Sequence, residues 1–370
     1  MKILFAGGGT AGHIFPIIAI VREIKTNYPY AEFEFFYIGP KDKFVAGLLS
    51  REGIQVRTIL AGKLRRYFSL QNIIDIFKIP VGVLQAFYHI FVISPDLIFS
   101  KGGYGSFPAV LSGHLLLTPI FLHESDVSPG LANRLTSKFA LEIFTAFPVE
   151  KTEYFPTGKM ISVGNPIRKE ILMGSREEAK KIFKLTGEKP VILILGGSQG
   201  AQRINDGFLL VLPDVLRDFE IIHQTGRLNF QQVKNEAEVV VSEELREHYH
   251  PLPFLEEQEM AQAYQAADLV VSRAGAGTIF EIAALGKPSI LIPLPEAAQN
   301  HQVRNAYAFS ESGACLVIEE NNFGPHFILE RLRYLFSDPK ILAEMSEKAK
   351  EFSRPQAASI IAGYLVDYLK

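Results

Sequence analysis

The chain has 370 residues, enough for two domains of ordinary size, and 48% apolar against 21% charged residues mark it as globular. With 38 Lys+Arg against 40 Asp+Glu and a net charge of −2, it lacks the large basic excess of a nucleic-acid-binding protein. Cys315 is the single cysteine, which excludes an internal disulfide and a cysteine metal cluster and fits a reducing compartment.

After Lys2 only four apolar residues, Ile3–Ala6, precede a burst of glycine, too few for the apolar region of a signal peptide. No stretch reaches ~18 uninterrupted apolar residues, so no bilayer span is expected. Short apolar runs predict strands near 2–6, 33–38, 55–60, 96–100, 119–123, 141–146 and 160–163. A turn-rich break, Gly164–Asn165–Pro166–Ile167–Arg168, follows, and strands resume near 190–195, 219–224, 251–254, 269–272, 288–292 and 315–318. Continuous apolar strands alternating with longer helical patterns mark parallel sheets covered on both faces. The final segment from Pro355 has helical apolar spacing at Ile360, Ile361, Leu365 and Leu369, suited to closing either half.

Two apolar runs end in glycine bursts: Ile3–Ala6 in Gly7–Gly8–Gly9–Thr10–Ala11–Gly12–His13, and Val191–Leu195 in Gly196–Gly197–Ser198–Gln199–Gly200. A strand opening into a glycine loop and then a helix presents bare N–H groups and a positive helix end, a seat for phosphate. Neither loop is a Walker A or a clean Gly-x-Gly-x-x-Gly, so their pairing is the signal. His13, at the start of a helix, suits either proton transfer near neutrality or a backbone hydrogen bond. Lys101–Gly102–Gly103–Tyr104–Gly105 ends another apolar run and reads as a further ligand loop or a plain turn.

His123–Glu124–Ser125–Asp126 ends a strand and suits acid–base work or ligand hydrogen bonding. No second His/Asp pair at ligand spacing stands nearby, and the chain has no Asp-x-Asp, so no metal is expected. In the second half, Ser272–Arg273–Ala274–Gly275–Ala276–Gly277–Thr278–Ile279–Phe280–Glu281 opens a helix with small residues. Glu281 there is suited to accept both hydroxyls of a ribose or to favour the helix dipole. Gln302 is either a partner for sugar hydroxyls or a solvated loop residue. The segment Lys63–Ile93 has a basic lead (Lys63, Arg65, Arg66), apolar positions from Ile73 to Phe91 on helical spacing, and Pro80 as an expected kink. That pattern fits a helix lying on an anionic membrane surface or a buried helix pair.

Taken in order, these motifs, with Pro129–Gly130–Leu131–Ala132–Asn133–Arg134 after the His-Glu-Ser-Asp run and Gly164–Arg168, resemble the MurG family of glycosyltransferase family 28. These are the bacterial undecaprenyldiphospho-muramoylpentapeptide β-N-acetylglucosaminyltransferases. The resemblance runs from residue 1 to about 365 and implies an α/β fold of two Rossmann-like domains facing across a cleft, the GT-B arrangement. Residues 1–164 would form an acceptor and membrane-docking domain and 165–352 a UDP-GlcNAc domain, with 353–370 packing back on the N-terminal domain.

The resemblance further implies donor contacts at Thr10, Ala11, Gly12, Arg168, Ser198, Leu255, Ala276, Gly277, Thr278, Ile279, Glu281 and Gln302. The diphosphate of the acceptor, lipid I, would rest on Gly8, Gly9, Gly102, Gly103 and Tyr104. At Ser125–Asp126 many family members carry Gln-Asn, so this chain presents an acceptor-only carboxylate where they present an amide.

The implied reaction moves GlcNAc, with inversion, from UDP-GlcNAc to the C4 hydroxyl of MurNAc in lipid I, giving lipid II for peptidoglycan. His13 is the favoured base, with Glu124 and Asp126 as alternatives, and no cofactor is implied. A docking site on the cytoplasmic face of the membrane, an anionic lipid surface and cell-wall synthesis proteins are the implied surroundings. Rival readings are another transferase of this fold, a UDP-GlcNAc 2-epimerase, and a nucleotide-sugar-binding regulator.

Overall fold

A computed structural model describes residues 1–8, 11–62, 70–152, 154–197 and 200–370, with side chains in the helix beginning at Leu70 described from Asp75 onward. Gly9, Thr10, Lys63, Arg65, Arg66 and Ser198 lie outside the described residues, as does the side chain of Ile73. The chain divides into two compact units, Met1–Arg168 with Pro355–Lys370, and Lys169–Arg354. The first unit runs four residues past Gly164 because Ile167 is buried and the Arg168 guanidinium lies over the Phe15 ring, 3.7 Å from its centre.

In the first unit, β1 (Lys2–Ala6), α1 (Ala11–Asn27), β2 (Glu34–Pro40), α2 (Lys43–Arg51), β3 (Gln55–Ile59) and α3 (Leu70–Ile93) lead to β4 (Leu97–Ser100). There follow α4 (Phe107–Leu115), β5 (Ile120–Glu124), α5 (Leu131–Thr136), β6 (Glu142–Thr145) and β7 (Met160–Ser162). The strands form one parallel sheet in the order β3-β2-β1-β4-β5-β6-β7. Successive strands β1 to β3 build outward on one side and β4 to β7 on the other, so the chain changes direction between β1 and β4. In open parallel sheets ligands bind at the carboxyl ends of the strands flanking such a point.

Both sheet faces are covered, which is why the strands read as unbroken apolar runs. On one face Ile14, Ile17 and Val21 of α1 join Ile361, Leu365 and Val366 of the final helix, Ala357–Leu369, over Phe5, Phe99, Phe121 and Phe144. Tyr368 meets the Phe121 ring edge-on at 5.1 Å, and Tyr364 meets Phe144 in the same way at 5.3 Å. Each apolar side chain so buried is worth about 1.5–3 kcal/mol.

On the other face Ala86, Ile90 and Ile93 of α3 pack with Ala109 and Val110 of α4 over Leu4, Ile98 and Leu122. The span Asp75–Ile93 is long and apolar enough to cross a membrane by length and composition, yet this inner stripe is spent on the sheet. Its outer stripe is not: Phe77, Leu84 and Phe91 are 71%, 70% and 69% exposed. The helix continues through Pro80 as one element.

The second unit contains α6 (Arg176–Phe183), β8 (Val191–Leu195), α7 (Gln202–Leu209), α8 (Leu212–Asp218), β9 (Glu220–Gln224), α9 (Phe230–Val240), β10 (Tyr249–Leu252) and α10 (Glu257–Ala266). It continues with β11 (Leu269–Ser272), α11 (Ala276–Leu285), β12 (Ser289–Leu291), α12 (His301–Ser310), β13 (Cys315–Val317), α13 (Pro325–Ser337) and α14 (Pro339–Phe352). Its parallel sheet has the order β10-β9-β8-β11-β12-β13, with the reversal between β8 and β11. Ile192, Ile194, Leu269 and Val271 form the centre of its core with Phe208, Leu212 and Leu332 from the covering helices.

Candidate functional site

In the first unit the loops after β1, β4 and β5 meet at the carboxyl edge of the sheet. Gly102 and Gly103 have φ of +84° and +83°, the left-handed region that glycine enters without strain. A Cβ on Gly103 would lie 2.9 Å from Gly8 Cα and 3.1 Å from His13 Nε2, and one on Gly8 would lie 3.1 Å from His13 Nδ1. The missing side chains therefore let the His13 ring lie against both glycine loops. Tyr37, buried beneath, donates its hydroxyl to Gly7 O at 3.1 Å, and burial pushes its pKa up. Gly12 differs: it is exposed, and a Cβ there would meet none of the described residues within 4 Å.

The β5 end is held by Glu124, which is buried. Its carboxylate accepts from Asp126 N at 3.0 Å, Gly130 N at 3.1 Å and Asn133 Nδ2 at 2.9 Å, tying the loop to the start of α5. Burial, then the nearby Asp126 charge, raises the Glu124 pKa; those hydrogen bonds and Lys101 pull the other way. Asn133 also donates to His123 O at 3.1 Å, and its amide lies where a Cβ on Gly102 would be, so α5 presses on the β4 loop as well. Asp126 is half-buried beside these groups.

His123 is fully buried and donates from Nε2 to Gly164 O at 3.0 Å, a carbonyl being able only to accept. Burial holds it neutral, with a pKa well below the ordinary value, so it is a structural peg rather than a proton carrier. Lys101, 2% exposed, donates from Nζ to Ser125 Oγ, and Ser125 in turn donates to Asn165 Oδ1 at 3.1 Å.

In the second unit the loops after β8 and β11 flank the reversal. The cap of α11 is Gly275, which offers no side-chain hydrogen bond to the first turn. A Cβ on Gly275 or Gly277 would meet none of the described residues within 4 Å. The N–H groups of Ala276, Gly277 and Thr278 have no partner four residues earlier within the helix, so this turn is an open, electropositive backbone surface. The side chains of Ala276 and Ile279 are buried in the core, so only their backbone is available to a ligand.

The loop before this turn is braced. Arg273 donates to Ile292 O at 3.1 Å and pairs with the buried Glu320, which also pairs with Arg203, and Asn305 donates to Ala274 O at 3.3 Å. Glu281 accepts from Tyr264 Oη at 3.0 Å, which fixes its carboxylate. Gln302 sits half-buried on α12 rather than in a solvated loop, and its Oε1 accepts from Leu294 N at 3.0 Å.

Gln224, at the end of β9, joins two expected contacts. It donates to Gly197 O at 3.2 Å and accepts from Leu255 N at 3.0 Å. Leu255 is 2% exposed, so its side chain belongs to the interior. Gly200, with φ of +81°, is packed against Thr225 O, whereas a Cβ on Gly197, with φ of +80°, would meet none of the described residues within 4 Å. Gln224 and Tyr264 lie outside the motifs read from the sequence, whereas Asn133 and Arg273 lie inside them without having been given a role; Gln224, a polar residue ending an apolar strand just before Thr225–Gly226, left a trace of its own.

Residues 3–145 match the glycosyltransferase family 28 N-terminal domain and 191–361 the glycosyltransferase family 28 C-terminal domain. A Clostridium tetani protein named UDP-N-acetylglucosamine–N-acetylmuramyl-(pentapeptide) pyrophosphoryl-undecaprenol N-acetylglucosamine transferase is 37% identical over 91% of this chain and 90% of its own length. A protein of the same name from Lachnospira eligens is 38% identical over 91% of both chains. The crystal structure of Acinetobacter baumannii MurG is similar with a TM-score of 0.73 at 25% identity, over 99% of each chain. A Neisseria meningitidis UDP-GlcNAc 2-epimerase bound to UDP-GlcNAc shares the fold at 17% identity, with a TM-score of 0.71 over 99% of this chain and 100% of its own. Both halves match one family, and the chain belongs to glycosyltransferase family 28.

Proposed function

We propose that this chain transfers N-acetylglucosamine from UDP-GlcNAc to the C4 hydroxyl of MurNAc in lipid I, forming lipid II for peptidoglycan synthesis. The observation carrying the reading is the 37–38% identity, across nine-tenths of the chain, to relatives named for that transfer. The epimerase likeness is one of fold alone.

The second unit is the donor domain in this reading. The uncapped turn at Ala276, Gly277 and Thr278, with Ser198, receives the diphosphate, fixed N–H dipoles offsetting charge as UDP leaves without reorganising during the reaction. Glu281, steadied by Tyr264, accepts the ribose hydroxyls; Gln302 holds the sugar; Leu255 meets uracil through the backbone that Gln224 fixes. Thr10, Ala11, Gly12 and Arg168 are the remaining donor contacts.

The first unit takes the acceptor, its diphosphate on the glycines at 8, 9, 102 and 103 and on Tyr104. His13 removes the C4 proton, with Asp126 as the second candidate. Glu124, its oxygens already accepting three hydrogen bonds, shapes the loop instead of acting as base. The outer stripe of α3 rests on the anionic membrane, and the apolar groove of about 460 Å³ beside Gly103 and Tyr104, lined by Ile79, Phe107 and Leu131, faces the lipid.

Radiolabelled UDP-GlcNAc, with and without a lipid I analogue, tests this. Label moving into the lipid fraction only with acceptor is the expected result. Turnover of the nucleotide sugar without acceptor would mean epimerisation, and binding without turnover a regulator.

A further inference from the structure

The turn that follows β13, Glu320–Asn322, meets both segments that flank the strand reversal of the second unit. Only 3% of the Glu320 side chain is exposed. One of its carboxylate oxygens pairs with Arg203 Nη1 in the first turn of α7, the helix that follows the β8 glycines. The other pairs with Arg273 Nη2, in the loop between β11 and α11. Arg273 Nη1 donates to Ile292 O at 3.1 Å, so both terminal nitrogens of this arginine are engaged and its charge is answered inside the fold. Arg203 also reaches Glu296, 3.4 Å away in the loop after β12.

The turn is seated on α7 independently of its charge. The Phe323 ring lies against Phe208, centres 5.9 Å apart, and a Cβ on Gly207 would overlap it. Ile318, just ahead, is buried, and its N–H donates to Leu291 O at 2.9 Å. Packing therefore already joins the turn to α7, and what the carboxylate adds is the reach across to Arg273. Such a group is a poor source of stability, because desolvation consumes most of the attraction of a buried ion pair. What it does supply is geometry. A carboxylate shared by two guanidinium groups fixes both arginines at once, and removing either partner leaves a buried charge without its match.

We propose that Glu320 is a positioning residue of the donor site, a clamp that sets α7 and the uncapped first turn of α11 at the spacing a nucleoside diphosphate requires. Arg273, although beside that turn, acts inward on Glu320 rather than on the ligand. The proposal rests on the donor reading for its effect on affinity and on the fold alone for the coupling of the two segments.

The test uses the full chain with Glu320→Gln, Arg273→Met, their double variant, and Arg203→Met, whose side chain is 60% exposed. UDP titration gives Kd, hydrogen–deuterium exchange over 200–209 and 272–281 reports the order of the two segments, and KM for a lipid I analogue is the internal control. Glu320→Gln is expected to raise Kd for UDP roughly tenfold, about the effect of drawing one charge-assisted hydrogen bond out of line, with KM for the acceptor analogue unchanged. Arg273→Met gives a similar rise and the double variant no more than either, because both break the same clamp. Arg203→Met is expected to quicken exchange over 272–281 as well as in its own helix, an effect that a purely local role would not produce. A fall in Tm with Kd for UDP unchanged, factors that multiply in the double variant, or exchange quickened only in the segment carrying the substitution would overturn the proposal.

If Glu320→Gln does not fold, Arg203→Met carries the test on the same two readouts, and an unchanged Kd or an unchanged 272–281 segment overturns it equally. A wild type that binds no UDP defeats the donor reading instead. The clamp is then judged by exchange alone, and segments that loosen independently overturn it.

Discussion

Replacing Gly277 by alanine separates binding from folding at the proposed donor site. The added Cβ would meet nothing within 4 Å, and Gly277 lies in the first turn of α11, so the fold has no steric objection. Alanine is a better helix former than glycine by up to about 1 kcal/mol, which in a domain of this size corresponds to a rise in Tm of roughly 0–4 °C. A phosphate oxygen seated on the Gly277 N–H would be displaced by the methyl. A hydrogen bond to a charged group contributes about 1.5–3 kcal/mol, so Kd for UDP and UDP-GlcNAc is expected to rise roughly ten- to hundredfold. Titration calorimetry with both ligands and a thermal melt give the two numbers. Gly286→Ala is the converse control. Its φ of +61° makes a side chain strained, so it lowers Tm and leaves Kd unchanged. Gly277→Ala protein with raised Tm and unchanged Kd would refute the placing of the diphosphate on α11.

His13→Ala is expected to lower kcat by roughly 10²- to 10⁴-fold with an intact fold, as loss of a general base does; near-normal turnover in the same assay assigns the proton to another group. Phe91→Asp on the outer stripe of α3 is expected to weaken binding to vesicles containing anionic lipid while leaving turnover of a water-soluble short-chain acceptor unchanged. Binding unaltered by the substitution and by lipid charge counts against docking through this helix. Lys101, drawn by burial from 10.5 to about 8, binds its proton less tightly folded than unfolded. Stability in urea should therefore rise between about pH 8 and 10 by up to roughly 3 kcal/mol, and a flat curve refutes the burial of its charge.

Both sheets were legible because a parallel strand covered on two faces must be apolar throughout, and each such run stops where its loop reaches the edge. Gly7–Gly8 after β1 and Gly196–Gly197 after β8 stand beside the reversals because the first strand of each half is the one at which the strand order turns. The braces were not legible. Gln224 reaches Leu255 across 31 residues and Asn305 reaches Ala274 across 31, and no local pattern reports a partner so far along the chain. The two readings of α3 proved not to exclude each other: Ala86, Ile90 and Ile93 are core while Phe77, Leu84 and Phe91 are surface. A helix apolar on both sides yields one periodicity for both.

The glycines make the same point about chemistry. In the sequence Gly103 and Gly277 are equivalent, small residues in a loop at a strand end. In the fold they are opposites. The space beside Gly103 is filled by Gly8 and His13, so its lack of a side chain serves the packing of two loops. Among the described residues, a Cβ on Gly12, Gly197, Gly275 or Gly277 would meet nothing within 4 Å. A glycine whose absent Cβ would touch no described residue, and whose φ need not be positive, has no steric reason to be glycine; Gly47, Gly130 and Gly158 share this openness, and what sets Gly12, Gly275 and Gly277 apart is that the proposed transfer places its ligand at these three. Substituting these three residues should therefore damage binding ahead of stability, and substituting Gly103 should damage both together.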